Sequence, residues 1–192
     1  MKSIDNRSYI PLVMALGAFT YSLNYFNKIF ACALVFVFLA LIINLISELY
    51  GKARAMKSMA LCAIASFCLL WNFDYYIYGR AVDGVVLASL LSVVASTYCG
   101  ANVFAKLRRS YSFNTSNLIS LIICASVDGL VMSAFFITKY SMGTVLFILA
   151  QEVSFKCLYS LSIFALLFVG AIIVGARFAQ KRTPGCQTTA AL

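Results

Sequence analysis

Six long apolar runs, set between short polar breaks, govern what this chain can fold into. They cover Tyr9 to Phe26, Ile29 to Ser47, Met59 to Tyr78, Val85 to Phe104, Leu118 to Ile137, and a last stretch within Val145 to Ala176. A helix needs about 20 mostly apolar residues to cross the hydrocarbon core of a bilayer, and each run meets or approaches that length. Backbone N–H and C=O groups in lipid must be satisfied within their own segment, so an open sheet is excluded and each run reads as a helix. The last run exceeds one crossing and is accommodated by tilt or by an interfacial first turn. The expected fold is therefore all-α, a polytopic membrane protein with six transmembrane helices. Residues 1–179 form the membrane domain, and 180–192, with Pro184 and Gly185, a flexible cytoplasmic tail.

The remaining composition fits a lipid solvent. Apolar and aromatic residues make up 63% of the chain and charged ones only 11%, where a soluble domain carries about a quarter charged residues. A soluble enzyme, a disordered chain and a free nucleic-acid-binding domain are all excluded. The chain has no histidine, which removes His-dependent triads and His metal sites. The six acids Asp5, Glu48, Asp74, Asp83, Asp128 and Glu152 form no metal-binding motif. No catalytic residue, metal or cofactor is expected, and the chain does not read as an enzyme. Of the seven cysteines, Cys32, Cys62, Cys68, Cys99, Cys124 and Cys157 lie in apolar runs and read as small buried hydrophobes, and Cys186 lies in the tail.

The formal charge of +9 is explained by topology. With a cytoplasmic N-terminus, eleven of the fifteen basic residues fall inside: Lys2, Arg7, Lys52, Arg54, Lys57, Lys106, Arg108, Arg109, Arg177, Lys181 and Arg182. Lys28, Arg80 and Lys139 fall outside, and Lys156 lies within the sixth span. The positive-inside rule thus places both termini in the cytoplasm, and no nucleic-acid partner is needed. Tyr75, Tyr76 and Tyr78 then meet the outer interface, where amphipathic rings are favoured. Trp71, Phe73, Tyr75 and Tyr76 read as an interfacial belt, with stacking on a flat ligand as the functional alternative. The first apolar run lacks a small-residue cleavage site and reads as a retained helix.

Ionisable and amide groups inside the spans are the candidate site. Asp128 falls near the middle of the fifth span, where a charge costs about 2.5–3.5 kcal/mol on insertion scales. It is expected to face the bundle interior and to meet a solute, a proton, or a neighbouring Ser, Asn or Lys. Glu152 and Lys156 stand four apart, in the favourable order for a helical ion pair. They form either an interfacial pair with a snorkelling lysine or one wall of a cavity. Glu48 ends the second span with Lys52 as its nearest partner, and Asn44 lies one turn earlier. Asn24 and Lys28 form a similar pair at the end of the first span. Asn24, Asn44, Asp128 and Lys156 are expected to line one central polar pocket, a pattern that suits a small polar solute crossing the membrane.

These residues resemble a family. Asn24 with Lys28, then Asn44 and Ser47-Glu48-Leu49-Tyr50-Gly51-Lys52-Ala53-Arg54, then Lys106-Leu107-Arg108-Arg109, Asp128 and Phe155-Lys156 resemble the queuosine precursor transporter (vitamin uptake transporter) family over about Thr20 to Ala176. Three positions depart from its pattern: Asn44 stands where the family has Asp, Ala125 where it has a polar residue, and Leu166 where it has Pro. The resemblance implies a six-helix bundle in the bacterial inner membrane that imports a queuosine precursor, a flat deazapurine base, for tRNA modification salvage. It implies substrate contacts at Asn24, Lys28, Asn44, Glu48, Asp128, Glu152 and Lys156. No phosphate-binding loop of the GxxxxGK[ST] type occurs. The chain is thus expected to act as a secondary carrier or facilitator, or as the substrate-binding subunit beside separate energy-coupling ATPases. A homo-oligomer and a structural or assembly role in the membrane are the remaining expectations.

Overall fold

The computed structural model describes residues 8–26, 28–71, 76–77, 80–81 and 84–181. Six helices follow in order: α1 (Tyr9–Tyr25), α2 (Ile29–Tyr50), α3 (Lys52–Leu70), α4 (Val85–Leu107), α5 (Phe113–Phe136) and α6 (Met142–Lys181). Between α3 and α4 lies a small antiparallel pair, β1 (Tyr76–Ile77) and β2 (Arg80–Ala81), with Tyr76 opposite Ala81. Among the described residues, five helices are long and apolar enough to cross a membrane: α2, α3, α4, α5 and the Met142–Gly170 part of α6. α1 has 17 residues, about 25 Å of helix against a hydrocarbon core of about 30 Å. The chain is thus an all-helical, multi-pass membrane architecture.

α2 is the central helix. It packs against α1, α3, α4, α5 and α6. It is also the most apolar of the five spans, as a helix surrounded by other helices must be. Its buried side chains include Phe36, Leu39, Ile43 and Ile46, which meet Leu16 and Leu23 of α1, Met59 of α3, and Val93 and Leu121 of α4 and α5 in one core. A smaller cluster of Val85, Phe136, Val145 and Ile148 ties the start of α4 to the α5–α6 turn. The outward faces carry Leu61, Ile64, Leu91, Leu130, Phe147 and Leu166. The interior, by contrast, holds Asn24, Asn44, Ser92, Ser96, Asn117, Ser120, Asp128 and Lys156. An apolar outer surface around a core that also gathers polar groups departs from the pattern of a soluble domain. It follows from the solvent: in lipid, apolar side chains gain nothing by hiding, while polar ones must find each other.

The turns depart from the sequence reading in instructive ways. The break read at residues 51–57 is a single residue. Gly51, at φ 89°, reverses the chain, and α3 begins at Lys52 rather than Met59. The stretch Lys52-Ala53-Arg54-Ala55-Met56-Lys57 consists of strong helix formers, so basic charge there does not interrupt the helix. α3 stops at Leu70, short of the expected Tyr78. Tyr76 and Ile77 pair as a strand, in keeping with their aromatic and β-branched side chains. Asp74, Tyr75 and Tyr78 lie outside the described residues. α5 begins five residues earlier than expected, where Ser112 caps it by accepting a hydrogen bond from the Thr115 N–H at 3.4 Å. α6 is one unbroken 40-residue helix, so residues 180 and 181 belong to it. The rest of the proposed tail lies outside the described residues.

α4 and α5 run side by side because Gly100 leaves room. A Cβ built on Gly100 meets the Cys124 Sγ at 2.0 Å and the Ser120 backbone oxygen at 3.3 Å. Gly100→Ala is expected to destabilise the bundle by about 1–3 kcal/mol through overpacking. Thermal unfolding in detergent checks this, and adding Cys124→Ala should recover part of the loss.

Candidate functional site

The close approach of α5 and α6 builds the centre of the site. A Cβ on Gly129 would stand 2.8 Å from both Leu149 Cδ1 and Val153 Cγ2 of α6, so glycine at 129 brings the two helices together. That contact sets Asp128 against Lys156. The Lys156 ammonium donates to Asp128 Oδ2 and to Glu152 Oε1, one turn earlier on α6. The other Asp128 oxygen accepts from the Ser92 hydroxyl of α4 at 2.6 Å, and Ser92 also reaches the Asp128 backbone oxygen at 3.0 Å. The Phe36 ring of α2 lies 4.2 Å from Lys156 Nζ and takes its third side as a cation–π contact. Three helices, α2, α5 and α6, therefore meet at one ammonium, and α4 joins the cluster through Ser92 on Asp128.

Lys156 is 1% exposed and does not snorkel; it points into the bundle. Glu152 is the most accessible of the three, with 17% of its side chain exposed. Two carboxylates share one ammonium. In their ionised forms the cluster carries one excess negative charge, at a depth where such charge is costly.

A second polar layer lies two turns away. The Asn44 amide of α2 donates to Asn117 Oδ1 at 2.8 Å and to Ser120 Oγ at 3.1 Å. Ser120 in turn donates to the Gly100 backbone oxygen at 2.9 Å. A third layer closes that end of the bundle. Arg108, just past α4, donates to Glu48 of α2 at 3.0 Å through Nε, with Nη2 equally close. Both side chains there are about a third exposed, and an exposed pair of this kind contributes about 0–1 kcal/mol. Beside it lies a cleft of about 240 Å³ lined by Ser47, Glu48, Lys52, Phe104, Arg108 and Arg109.

Of the seven residues read from the sequence, the structure brings Asp128, Glu152 and Lys156 into direct contact. Asn44 is buried in the second layer and Glu48 sits in the third. Glu48 pairs with Arg108 rather than Lys52, because Gly51 ends α2 between them; Lys52 instead donates to Asn102 Oδ1 at 2.6 Å. Asn24 and Lys28 do not share a helix face. α1 ends at Tyr25 and Phe26 is extended. Asn24 is buried and donates to the Thr20 backbone oxygen at 3.3 Å, and Lys28 is exposed ahead of α2. Of the four residues expected around one pocket, Asp128 and Lys156 meet, while Asn44 lies in the second layer and Asn24 bonds within α1. The aromatic partner is Phe36, which the sequence reading did not single out. Trp71 is exposed and packs edge-on against Phe67, 5.0 Å between centroids. Ser92, Asn117, Ser120 and Arg108 were also missed. For Asn117 and Ser120 the signal was present as a polar stripe, Asn117, Ser120, Cys124 and Asp128, at helical spacing on α5.

Removing Lys156 leaves the buried Asp128 carboxylate and the partly buried Glu152 carboxylate without their cation. Lys156→Met is expected to destabilise the protein by about 3–5 kcal/mol. The triple change Lys156→Met, Asp128→Asn, Glu152→Gln should regain most of that stability, as measured by thermal unfolding in detergent.

No protein family, curated protein or solved structure matches the chain.

Proposed function

We propose that this chain is a membrane transporter that imports a small polar solute, a queuosine precursor base, across the bacterial inner membrane. In this reading α1 makes a sixth crossing and both termini are cytoplasmic, as the distribution of basic residues favours. The observation that carries the proposal is the Asp128–Lys156–Glu152 cluster, held by four helices inside an otherwise apolar set of spans. A bundle needing only to be stable gains little from a buried ion pair with a second carboxylate at its edge, since well-packed apolar residues do as well or better. Ionisable groups facing a bundle interior are the usual mark of a solute or ion path.

The chemistry of the cluster suits a deazapurine. Such a base offers N–H donors and a carbonyl acceptor on one edge. Asp128 and Glu152 are acceptors and Lys156 is a donor, so the three present the complementary pattern. The base would enter by exchanging its own hydrogen bonds for those now made within the cluster. The chain acts here as a secondary carrier or facilitator. An energy-coupled substrate-binding subunit would use the same contacts, with ATPases from other chains.

The test is tRNA queuosine content in a bacterial strain unable to make or import the precursors, expressing this chain and fed each precursor base separately. Modified tRNA is expected with one of the bases. Asp128→Asn keeps the shape of the side chain but removes its charge. It should lower the uptake rate about 10- to 100-fold, the equivalent of one hydrogen bond to a charged group, at unchanged protein level. Absence of modified tRNA with correctly inserted protein overturns the substrate. Unchanged uptake by Asp128→Asn overturns the site.

A further inference from the structure

Three helices turn the same kind of face toward one line. On α4 the line holds Ser92, Ser96, Gly100 and Phe104, with Arg108 one turn further. On α5, running the other way, it holds Asp128, Cys124, Ser120 and Ser116, and on α2 Phe36, Ala40, Asn44 and Glu48. Every step is four residues, so each set follows one continuous ridge that winds slowly around its helix. The three faces are joined level by level. Ser92 meets Asp128. Cys124 Sγ lies 3.4 Å from the Ser96 backbone oxygen. Ser120 meets Gly100 and Asn44. Arg108 meets Glu48. The line runs from the charged cluster to the cleft, about 24 Å at 1.5 Å per residue.

Two features distinguish this seam from ordinary close packing. First, it has hydrogen-bonding capacity to spare. The Ser116 hydroxyl, one turn past Ser120, is fully buried and has no partner among the described residues. A buried hydroxyl left without a partner is costly, and a polar guest in the seam would satisfy it. Second, its only exposed level is its last. Glu48 and Arg108 bridge α2 and α4 at the cleft, and Phe104 lies directly beneath, 1% exposed and packed edge-on against Phe113 at 5.6 Å. A solvent-exposed ion pair is weak and opens readily. A ring on a single helix can swing away when that pair parts.

We infer that this seam is the route by which the solute leaves the charged cluster, and that the Glu48–Arg108 pair, with Phe104 beneath it, is the gate. This rests on the transporter reading above and adds to it a direction, an exit and the residues that close it. The route suits a neutral, hydrogen-bonding molecule, which finds amide, hydroxyl and carbonyl partners along its length.

The experiment uses the full chain in membrane vesicles, with Cys124 as the sole cysteine and the other six replaced by alanine. The probe is a membrane-impermeant, charged thiosulfonate. Such a reagent needs water at the thiol, so Cys124 should label slowly with the gate closed. Arg108→Gln should speed labelling measurably, by up to about fivefold, the most that losing a pair worth about 0–1 kcal/mol adds to the open population. The charge swap Glu48→Arg with Arg108→Glu should slow it again. Ile122→Cys, on the lipid-facing side of α5 and placed in a chain lacking other cysteines, should stay unlabelled in both backgrounds. A second reporter, Ser96→Cys with Cys124→Ala, covers the case in which the first chain does not fold.

Gate-dependent labelling at Cys124 or Ser96→Cys, reversed by the swap, supports the seam. Labelling that ignores Arg108→Gln, or that rises equally at Ile122→Cys, overturns it. The same preparations are assayed for uptake, so the two readings fail separately. Gate-dependent labelling without uptake of any precursor base sinks the substrate and leaves the seam. Uptake with gate-independent labelling sinks the seam and leaves the transporter.

Discussion

The Lys156 ammonium is the point on which the bundle is organised. It pairs with both Asp128 of α5 and Glu152 of its own helix while resting against Phe36 of α2, and Asp128 carries Ser92 of α4. In water such a cluster would be one surface network among many. In lipid it determines which helix faces must point inward, because an ammonium or a carboxylate left facing hydrocarbon costs more than most packing errors. The orientation of α4, α5 and α6 about their own axes follows from that single requirement. Gly129 makes it geometrically attainable by letting α6 approach α5 closely.

α2 plays the complementary part. Touching every other helix, it carries polar groups where a partner faces them: Asn44 in the interior against Asn117 and Ser120, and Glu48 at the exposed end against Arg108. The helices are held by small residues and hydrogen bonds more than by apolar burial, since lipid tails compete equally for apolar side chains. That balance has a functional consequence. Interfaces built from hydroxyls, amides and glycine contacts can part and close again, with water or a polar solute replacing the lost bonds. A tightly interdigitated apolar interface offers no such substitute.

How far the site was legible in the sequence depends on the range of each interaction. Asp128, Glu152 and Lys156 announce themselves because ionisable residues in an apolar run are conspicuous, and the four-residue spacing of Glu152 and Lys156 predicts their contact from local helix geometry alone. Glu48 was equally visible, but its nearest partner in sequence was the wrong one. Lys52 is four residues away only along the chain, and the left-handed Gly51 turns it into a different helix. Arg108, sixty residues on, is the partner. Asn24 and Lys28 fail for the same reason, since one extended residue at Phe26 removes the helical register between them.

The sequence by itself determined that the chain is a set of apolar helices with charged residues deep inside some of them. Hydropathy and helix length are properties of contiguous residues, and lipid admits few alternatives to the helix. Tertiary structure alone decided which polar groups meet. Ser92 and Phe36 are unremarkable where they stand in the chain, and the stripe holding Asn117 and Ser120 and the basic run holding Arg108 do not name their partners. They acquire meaning only when α2, α4, α5 and α6 dock with particular faces together, because hydrogen bonds and ion pairs require contact within a few ångström and docking is a property of whole helices. The seam from Asp128 to Arg108 is therefore written on three helices at once, and no one of them contains it.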